Sequence, residues 1–421
     1  MSPDMKKITQ NAAFFGPRSS IFFATFSRYE KRQRLPTNGM VEPVLSFFLP
    51  KVRRILLLDA PHLISDTISP IVEVYERGRV SKRFRISKFF YLPIYLWCKF
   101  PSNKETRMSF KVRDFFSVFF VALWQKGHYD LFIGLESVYT LAGLILKKFG
   151  IVKRVIYYVS DYSPRRFENT LFNALYIYLD RFCLLHADFT WDVSPAIQKG
   201  RYEAGLSPTG TYRVIHVPNG LFPSQIKSLP VKKRKRNDLV YMGILEPDMG
   251  PDLAIRSLAA VKKHFPNVRL HIIGGPERHI KIMEELVRTL HLEQSVLFHG
   301  FIPSFEKMAQ KVRESYIGLA PYRSFSDSKR WYGDAGKIRQ YIAAGLPVVT
   351  THVPPLGTYV VERGAGIRTK DTVNSFSRGI LKLLADDTLY AELAKSAHRL
   401  SHDNTWENVY QKAFREMSYD A

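Results

Sequence analysis

The chain has 421 residues, of which 46% are hydrophobic, and it carries a formal net charge of +24. This length and apolar content exclude a disordered protein and predict two folded domains of ordinary size. The basic excess predicts an anionic partner: a nucleic acid, a nucleotide or an anionic membrane surface. Cys98 and Cys183 both stand among apolar residues, so we expect buried thiols in a cytoplasmic protein rather than a disulfide framework.

The first half of the sequence holds two short aromatic runs, at 89–97 and 115–124. Both are shorter than the roughly 18 residues of a spanning helix, and the start of the chain lacks the pattern of a signal peptide. The basic residues around them are Lys82, Arg83, Arg85, Lys88, Lys99, Lys111, Arg113 and Lys126. This combination predicts peripheral attachment to the inner face of an anionic membrane, and helices buried under a solvated basic rim are the alternative.

Short apolar runs alternate with segments of helical spacing along the chain. The predicted strands are 55–58, 131–134, 154–159, 213–217, 239–241, 270–273, 296–299, 317–320 and 348–350. The predicted helices of the second half include 251–264, 277–292 and 304–315. Strands that alternate with helices and are apolar along their length predict an α/β fold with parallel sheets covered on both faces, here two Rossmann-like, doubly wound domains.

The domain boundary is expected near residues 220–237. A turn signal, Pro218-Asn219-Gly220, is followed by five consecutive basic residues at 232–236 and then by a new strand. The basic run is interpreted as a solvated linker, with a nucleic-acid patch as the alternative, so no nucleic-acid partner is expected. The predicted domains are 1–225 and 226–404, with a terminal helix over 405–421.

Two loops of the second domain have the form of a phosphate site. The first contains Gly243 and Gly250 between a strand and a helix, and glycine lets the backbone approach a ligand. The second ends at Gly336, where a helix begins and places Lys337 and Gln340 on one face of its first turn. Lysine can neutralise a diphosphate and glutamine can bind a ribose hydroxyl, although both are also common surface residues.

The segment 341–351, YIAAGLPVVTT, resembles the donor-site signature of GT-B glycosyltransferases, family 4 (group 1) especially. Matching pieces appear in the family's order at 242–246, 272–277, 296–301 and 364–367. The resemblance implies two Rossmann-like domains facing a cleft, a terminal helix that crosses back to the first domain, and a nucleotide-sugar donor. The donor-binding residues that it implies are Gly243, Glu246, Gly250, Gly275, Tyr322, Tyr332, Asp334, Gly336, Lys337 and Gln340.

The sequence departs from the family at its charged positions. The family's Arg and Lys of the first loop are replaced by Ile244 and Met249, and its paired Glu residues by Tyr332 and Gln340. The pair Lys337-x-x-Gln340 is similar to the donor motif of the xanthan glucuronosyltransferase, another GT-B enzyme. On that analogy Lys337 replaces the lost cations and stabilises the leaving diphosphate.

The acceptor side is expected at the end of the strand 154–159, where Asp161 follows. Ligands of open α/β sheets gather at this edge, and a carboxylate there can take a proton from an acceptor hydroxyl, although an aspartate in a turn is equally common. The xanthan enzyme is similar in placing a catalytic Asp in its first domain, which favours inversion. Glu136 is the second candidate for the base, and Arg165 and Arg166 are candidates for binding an acceptor phosphate.

The function expected from the sequence is a metal-independent glycosyltransferase without a cofactor. It would move a sugar from a UDP- or GDP-linked donor to a saccharide or lipid-linked saccharide in polysaccharide synthesis. The Asp-x-Asp metal clamp and the G-x-G-x-x-G pattern are both missing from the sequence. The alternatives are a sugar-nucleotide epimerase of the same fold and a non-catalytic protein that binds polyanions or membranes.

Overall fold

The computed structural model describes residues 14–31, 33–35, 39–99 and 108–419. The chain divides into two compact units, the first up to Val217 and again from Tyr410 onward, the second Pro218–Val409. The predicted boundary lies eight residues later, at 225/226. Residues 218–225 join unit 2 because Asn219 N–H donates to Asp334 Oδ2 (2.8 Å) and Leu221 N–H donates to the carbonyl of Asn404 (2.9 Å).

Unit 1 is built on a sheet whose strands have the order β5-β4-β3-β1-β6-β7-β8-β9, and β2 pairs with β1. The strands from β3 through β1 to β9 run parallel, and β4 and β5 extend one edge antiparallel. Within the described residues the strands are β1 (Ser20–Glu30), β2 (Gln33–Leu35), β3 (Arg54–Pro61), β4 (Ile71–Glu76), β5 (Arg79–Arg85), β6 (Tyr129–Leu135), β7 (Val152–Val159), β8 (Phe189–Asp192) and β9 (Val214–His216).

The helices of unit 1 pack on this sheet. In the described residues they are α1 (Val41–Phe48), α2 (Leu92–Lys99), α3 (Met108–Trp124), α4 (Glu136–Lys148), α5 (Thr170–His186) and α6 (Ala196–Glu203). The terminal helix of the chain, Trp406–Tyr419, begins in unit 2 and completes the core of unit 1 with its second half. There the ring of Phe414 stacks parallel to Phe47 (5.8 Å between centroids), and Tyr410 stacks on Trp191 (5.7 Å).

Both predicted aromatic runs are helical and partly exposed. The first forms a 3-10 turn, Lys88–Tyr91, continued by α2, and the second lies in α3. Phe90 joins them, because its ring lies 4.7 Å from Phe120 and 5.5 Å from Trp124. In the described part of the chain, every helix is too short or too polar to cross a bilayer.

Unit 2 is a fully parallel sheet with the order β12-β11-β10-β13-β14-β15. Its strands are β10 (Asp238–Met242), β11 (Arg269–Ile273), β12 (Val296–Gly300), β13 (Ile317–Ala320), β14 (Val348–Thr351) and β15 (Gly366–Thr369). Its helices are α7 (Pro251–Lys262), α8 (Glu277–Thr289), α9 (Phe305–Glu314), α10 (Gly336–Ala343), α11 (Pro355–Glu362), α12 (Val373–Ala385) and α13 (Asp387–Asp403), and the terminal helix is α14. A mainly parallel sheet in unit 1 and a parallel sheet in unit 2, each with helices, confirm the predicted α/β class.

Four of the five basic residues at 232–236 are solvent-exposed, as the sequence predicted, but the run is part of unit 2 and not a linker between the units. Lys232 and Lys233 are exposed, but Arg234 is buried, with 8% of its surface accessible. Its guanidinium donates to the carbonyl of Gly345 (2.8 Å) and to the hydroxyl of Tyr390 (2.9 Å). The run therefore belongs to unit 2, because Arg234 satisfies the carbonyl that follows the end of α10.

Candidate active site

The strand order of unit 2 reverses between β10 and β13, and a pocket of about 200 Å³ lies where these two strands end. Open α/β sheets bind their ligands at this switch point, at the carboxyl ends of the strands. The lining residues come from the loop after β10, the loop after β13 and the start of α10: Met242, Gly243, Ile244, Met249, Tyr322, Arg330, Gly333, Asp334, Ala335, Gly336, Lys337 and Pro354. The topology alone therefore brings the two predicted loops together.

Lys337 is the most deeply buried cationic side chain that lines this pocket. Only 5% of its surface is accessible, and its Nζ lies 3.9 Å from the ring centroid of Tyr241 and 4.8 Å from that of Tyr322. Among the described residues, no group forms a hydrogen bond with this Nζ. Burial holds the pKa of Lys337 well below its usual range, and Arg330 lowers it further. A buried amine without a hydrogen-bond partner is costly unless an anion completes it.

The glycines of the first loop make room for this lysine. Gly243 has a φ of +130°, and a Cβ there would lie 3.3 Å from Lys337 Cε. Gly250 has a φ of +70°, and a Cβ there would collide with the carbonyl of Pro321. The carbonyl of Gly275 accepts the N–H of Leu245 (3.0 Å), which holds the next loop against the first. Residues with a side chain would fill or distort the pocket at Gly243 and Gly250.

Arg330 is a pocket residue that the sequence reasoning missed. Its Nε donates to Asp248 Oδ2 and its Nη2 donates to Glu246 Oε2, each at 3.1 Å. Glu246, predicted to bind the donor, is thus paired with an arginine. The sequence shows Lys329 and Arg330 in a long polar loop after β13, but its spacing does not say which of them turns toward the first loop. Tyr241, inside β10, was also missed as a pocket neighbour because it reads as a core residue.

Three other predicted donor residues either pair within the protein or lie outside the group that lines the pocket. Asp334 lines the pocket, but its carboxylate pairs with Arg339 (2.7 Å), and the two side chains are 2% and 4% exposed. Gln340 lines a separate shallow depression with Phe305 and Arg313, so the structure does not bring it together with Lys337. Tyr332 follows a 3-10 turn, Lys329–Trp331, and is partly exposed. The ribose contact expected of Gln340 stays a prediction.

The carboxyl edge of the unit 1 sheet gathers a second group of charged residues. Arg166 Nη1 donates to Asp161 Oδ2 (2.9 Å), and Arg166 Nη2 lies 3.6 Å from Glu136 Oε1. Glu136 begins α4 with a φ of +69°, a strained value for a residue with a side chain, and it also pairs with Lys111 (3.4 Å). Arg165 is exposed, with its backbone N–H on Ser163 Oγ, and lies outside these ion pairs.

The two carboxylates of this group differ in their surroundings. Burial acts to raise the pKa of Glu136, but Lys111 and Arg166 together bring it below its usual range. The Glu136 side chain is 15% exposed, whereas that of Asp161 is 49% exposed and has Arg166 as its cationic partner. His62, which follows β3, also faces Lys111 and Glu136, and the sequence did not single it out. Asp161 is therefore the more accessible of the two carboxylates.

Comparison with known proteins identifies the second unit. Residues 236–386 match the family described as Glycosyl transferases group 1. This part of the chain is a group 1 glycosyltransferase domain. D-inositol 3-phosphate glycosyltransferases are similar: that of Acidothermus cellulolyticus is 28% identical over 193 residues, and that of Jonesia denitrificans 28% over 178 residues. These matches span 42% and 41% of this chain but only 41% and 40% of the two relatives.

Solved structures extend the likeness to nearly the whole chain. The Anabaena protein HepE in complex with UDP has a TM-score of 0.63 at 15% identity, over 93% of this chain and 98% of its own. Sucrose-phosphate synthase from Thermosynechococcus elongatus has a TM-score of 0.67 at 15% identity, over 94% and 97%. At these identities the likeness shows the fold, and it confirms the GT-B architecture that the sequence motifs implied.

Proposed function

We propose that this chain transfers a glycosyl group from a nucleoside diphosphate sugar to an acceptor hydroxyl. The observation that carries the proposal is the buried amine of Lys337, which has no hydrogen-bond partner among the described residues and lies in the switch-point pocket of a group 1 glycosyltransferase domain. A bound diphosphate would give this amine the anion that it lacks. Structures of the HepE protein with UDP and with UDP-glucose support the choice of a nucleotide-sugar donor.

On the donor side, the bond between the anomeric carbon and the diphosphate breaks, and the nucleoside diphosphate leaves with the electron pair. Lys337 and the N-terminus of α10 would stabilise the charge that develops on it. The N-cap of this helix is Ala335, whose side chain makes no capping hydrogen bond, and the N–H groups of Gly336 and Ile338 donate to the carbonyls of Asp334 (3.1 Å) and Ala335 (3.0 Å). The contribution proposed for α10 is therefore that of its dipole. The transfer is proposed to need neither a metal nor a cofactor.

On the acceptor side, Asp161 would accept the proton of the acceptor hydroxyl while its oxygen bonds to the anomeric carbon. Arg166 would hold the Asp161 carboxylate in place. Glu136, which pairs with Lys111 and Arg166, would complete this group of charged residues. A base in this position favours inversion of the anomeric centre. Arg165, which is exposed and lies outside these ion pairs, would bind an acceptor phosphate.

The donor pocket is tested by calorimetry of the full chain with UDP, GDP, uridine and guanosine. One nucleoside diphosphate is expected to bind at least about tenfold more tightly than its own nucleoside, since charged hydrogen bonds contribute about 1.5–3 kcal/mol. Transfer assays with the matching nucleotide sugars then report product, with and without EDTA. If every nucleoside diphosphate binds no better than its nucleoside, the proposal fails. Conversion of the sugar nucleotide without any acceptor would favour an epimerase instead.

The acceptor is proposed to be a saccharide or lipid-linked saccharide at the cytoplasmic face of a membrane, in polysaccharide synthesis. The support is an aromatic face formed by the 3-10 turn Lys88–Tyr91, α2 and α3. Its exposed side chains are Phe89 (77%), Phe90 (58%), Leu96 (47%), Trp97 (43%), Phe116 (51%), Leu123 (65%) and Trp124 (55%). The neighbouring β5 exposes Lys82, Arg83 and Arg85, which complement anionic headgroups.

Sedimentation with vesicles containing phosphatidylglycerol tests this aromatic face. The double variant Phe89→Ser, Trp124→Ser is expected to bind the vesicles at least about tenfold more weakly, because two large apolar side chains no longer enter the interface. Phe301→Ser is the matched control, since Phe301 is 80% exposed but belongs to unit 2. Equal binding by the wild type and both variants would remove the membrane from the proposal.

A further inference from the structure

We propose that Arg330 is the second cation of the diphosphate subsite and that Glu246 and Asp248 position it there. This inference rests on the proposed function and adds to it a residue that neither the sequence motifs nor the relatives assign. Arg330 belongs to the loop between β13 and α10, whereas the first loop, after β10, supplies the two carboxylates. The positive charge of the subsite would therefore come from the loop between β13 and α10 and not from the first loop.

The subsite needs more positive charge than Lys337 supplies. A nucleoside diphosphate carries at least two negative charges, and Lys337 carries at most one positive charge. The places where the resemblance led us to expect an arginine and a lysine are occupied by Ile244 and Met249, and both of these apolar side chains line the pocket. Arg330 lines the same pocket, which makes it the arginine placed to replace them.

Two hydrogen bonds position the guanidinium of Arg330, and they do not engage all of its N–H donors. Its bonds to Asp248 and Glu246, both 3.1 Å, engage Nε and Nη2. A guanidinium has five N–H donors, so donors remain for phosphate oxygens. The Arg330 side chain is 31% exposed, which is enough for a ligand to reach it and too little for it to move freely in solvent.

Asp248 fixes the whole segment that carries Arg330. Its Oδ2 also accepts the hydroxyl of Ser328 (3.0 Å), and its backbone carbonyl accepts the N–H of Arg323 (3.0 Å). Three contacts from one residue thus tie the β13 loop to the first loop. A cation held this firmly needs little reorganisation when an anion binds, which is the condition for strong electrostatic stabilisation.

Arg330 and Lys337 also influence each other. Both residues line the same pocket, and the charge of Arg330 contributes to the low pKa of Lys337. Asp248 opposes this effect only in part. A diphosphate bound between them would turn this repulsion into two attractions, so the pocket is poised for an anion of more than one charge.

The test is calorimetry of Arg330→Met with the nucleoside diphosphate that the wild type prefers, UDP or GDP, and competition with the matching nucleoside. We expect the affinity for the diphosphate to fall about tenfold or more and the affinity for the nucleoside to stay within about twofold. Arg330→Lys is expected to recover part of the loss, since it keeps the charge without the fork. Glu246→Gln should weaken the diphosphate less than Arg330→Met does.

Arg269→Met is the matched control. Arg269 is also a half-exposed arginine of unit 2 that pairs with a carboxylate, Asp238 (2.8 Å), but it begins β11 at the opposite edge of the sheet. Its replacement should leave both affinities unchanged. Two results would overturn the inference: Arg330→Met binds the diphosphate as tightly as the wild type, or its affinities for the diphosphate and the nucleoside fall equally. In either case Arg330 only connects the two loops. A wild type that binds neither UDP nor GDP overturns the proposed function itself.

Discussion

Replacing Asp161 by Asn is expected to lower the turnover of glycosyl transfer by about 10²- to 10⁴-fold, the range of a lost general base. The change is nearly isosteric, and the amide oxygen can still accept the 2.9 Å hydrogen bond from Arg166. What is lost is the ability to take the proton of the acceptor hydroxyl. The affinity for the nucleoside diphosphate should not change, because the donor pocket lies wholly in residues of unit 2. Initial rates and calorimetry measure the two quantities separately.

Asp188→Asn is the control for this experiment. Asp188 is also a carboxylate of unit 1 in an ion pair, with Lys147 at 2.6 Å, but it accepts the N–H of Val155 near the start of β7 rather than at its carboxyl end. Its replacement should leave turnover within about threefold of the wild type. If Asp161→Asn also stays within about threefold, Asp161 is not the base. The same assay on Glu136→Gln would then examine the other carboxylate of the group.

Replacing Lys337 by Met is expected to weaken nucleoside diphosphate binding by about 10- to 150-fold while the protein becomes no less stable. The loss of affinity corresponds to one charge-assisted contact of about 1.5–3 kcal/mol. The free energy of unfolding should stay equal or rise, because the wild type buries an amine without a hydrogen-bond partner among the described residues and methionine removes that cost. Replacing a residue that serves binding at a cost to stability is expected to lower the affinity and to leave the free energy of unfolding equal or higher.

Lys262→Met is the control, because Lys262 is a lysine with a structural role. Lys262 donates to the carbonyl of Pro266 (2.9 Å) and to Ser295 Oγ (2.5 Å), away from the pocket. Its loss should leave nucleotide affinity unchanged and lower the free energy of unfolding slightly. Chemical denaturation and calorimetry of the two variants give the comparison. A destabilised Lys337→Met that binds the nucleotide as well as the wild type would make Lys337 a structural residue.

The second unit could be predicted closely from the sequence. Its strands are short apolar runs because both faces of the sheet are covered, and each predicted run is observed to within about two residues. The helix that carries Lys337 is observed over Gly336–Ala343, where the glycine and the proline after it indicated. Local sequence is informative in this unit because each turn is made by residues close in the chain.

The first unit was harder to predict. The strand β1 lies in the middle of its sheet, but it was not predicted because Thr25, Ser27 and Arg28 interrupt the apolar pattern of its second half. The edge strand β5 has exposed basic residues along its length and resembles a loop. Charged edge strands protect a sheet from pairing with another chain, so their sequences do not show the alternation typical of a strand.

The site was predictable only where the topology decides it. Gly243 and Lys337 meet because the ends of β10 and the loop after β13 are neighbours in every sheet of this order. The partners of Glu246 and Asp334 depend instead on where two arginine side chains turn. Arg330 pairs with Glu246 and Arg339 pairs with Asp334. Both pairs depend on the path of the loop 321–335, and no local sequence pattern predicts that path.

The proton balance of nucleotide binding tests the role of Lys337 most directly. Tyr241, Tyr322, Arg330 and Asp248 are the groups that face its amine. Burial and Arg330 hold its pKa well below the usual range, and a diphosphate bound beside the amine would raise that pKa. Binding is therefore expected to take up a proton at pH values between the pKa of the free protein and that of the complex.

The measurement is calorimetry with the preferred nucleoside diphosphate at a series of pH values from about 7 to about 10, above the phosphate pKa of about 6, in two buffers of different ionisation enthalpy at each pH. The wild type is expected to take up as much as about one proton, and its affinity to fall as the pH rises, by at most about tenfold per unit. Lys337→Met should bind weakly with no uptake. Tight binding by the wild type without proton uptake at any of these pH values, or the same uptake in Lys337→Met, would show that this amine does not bind the diphosphate.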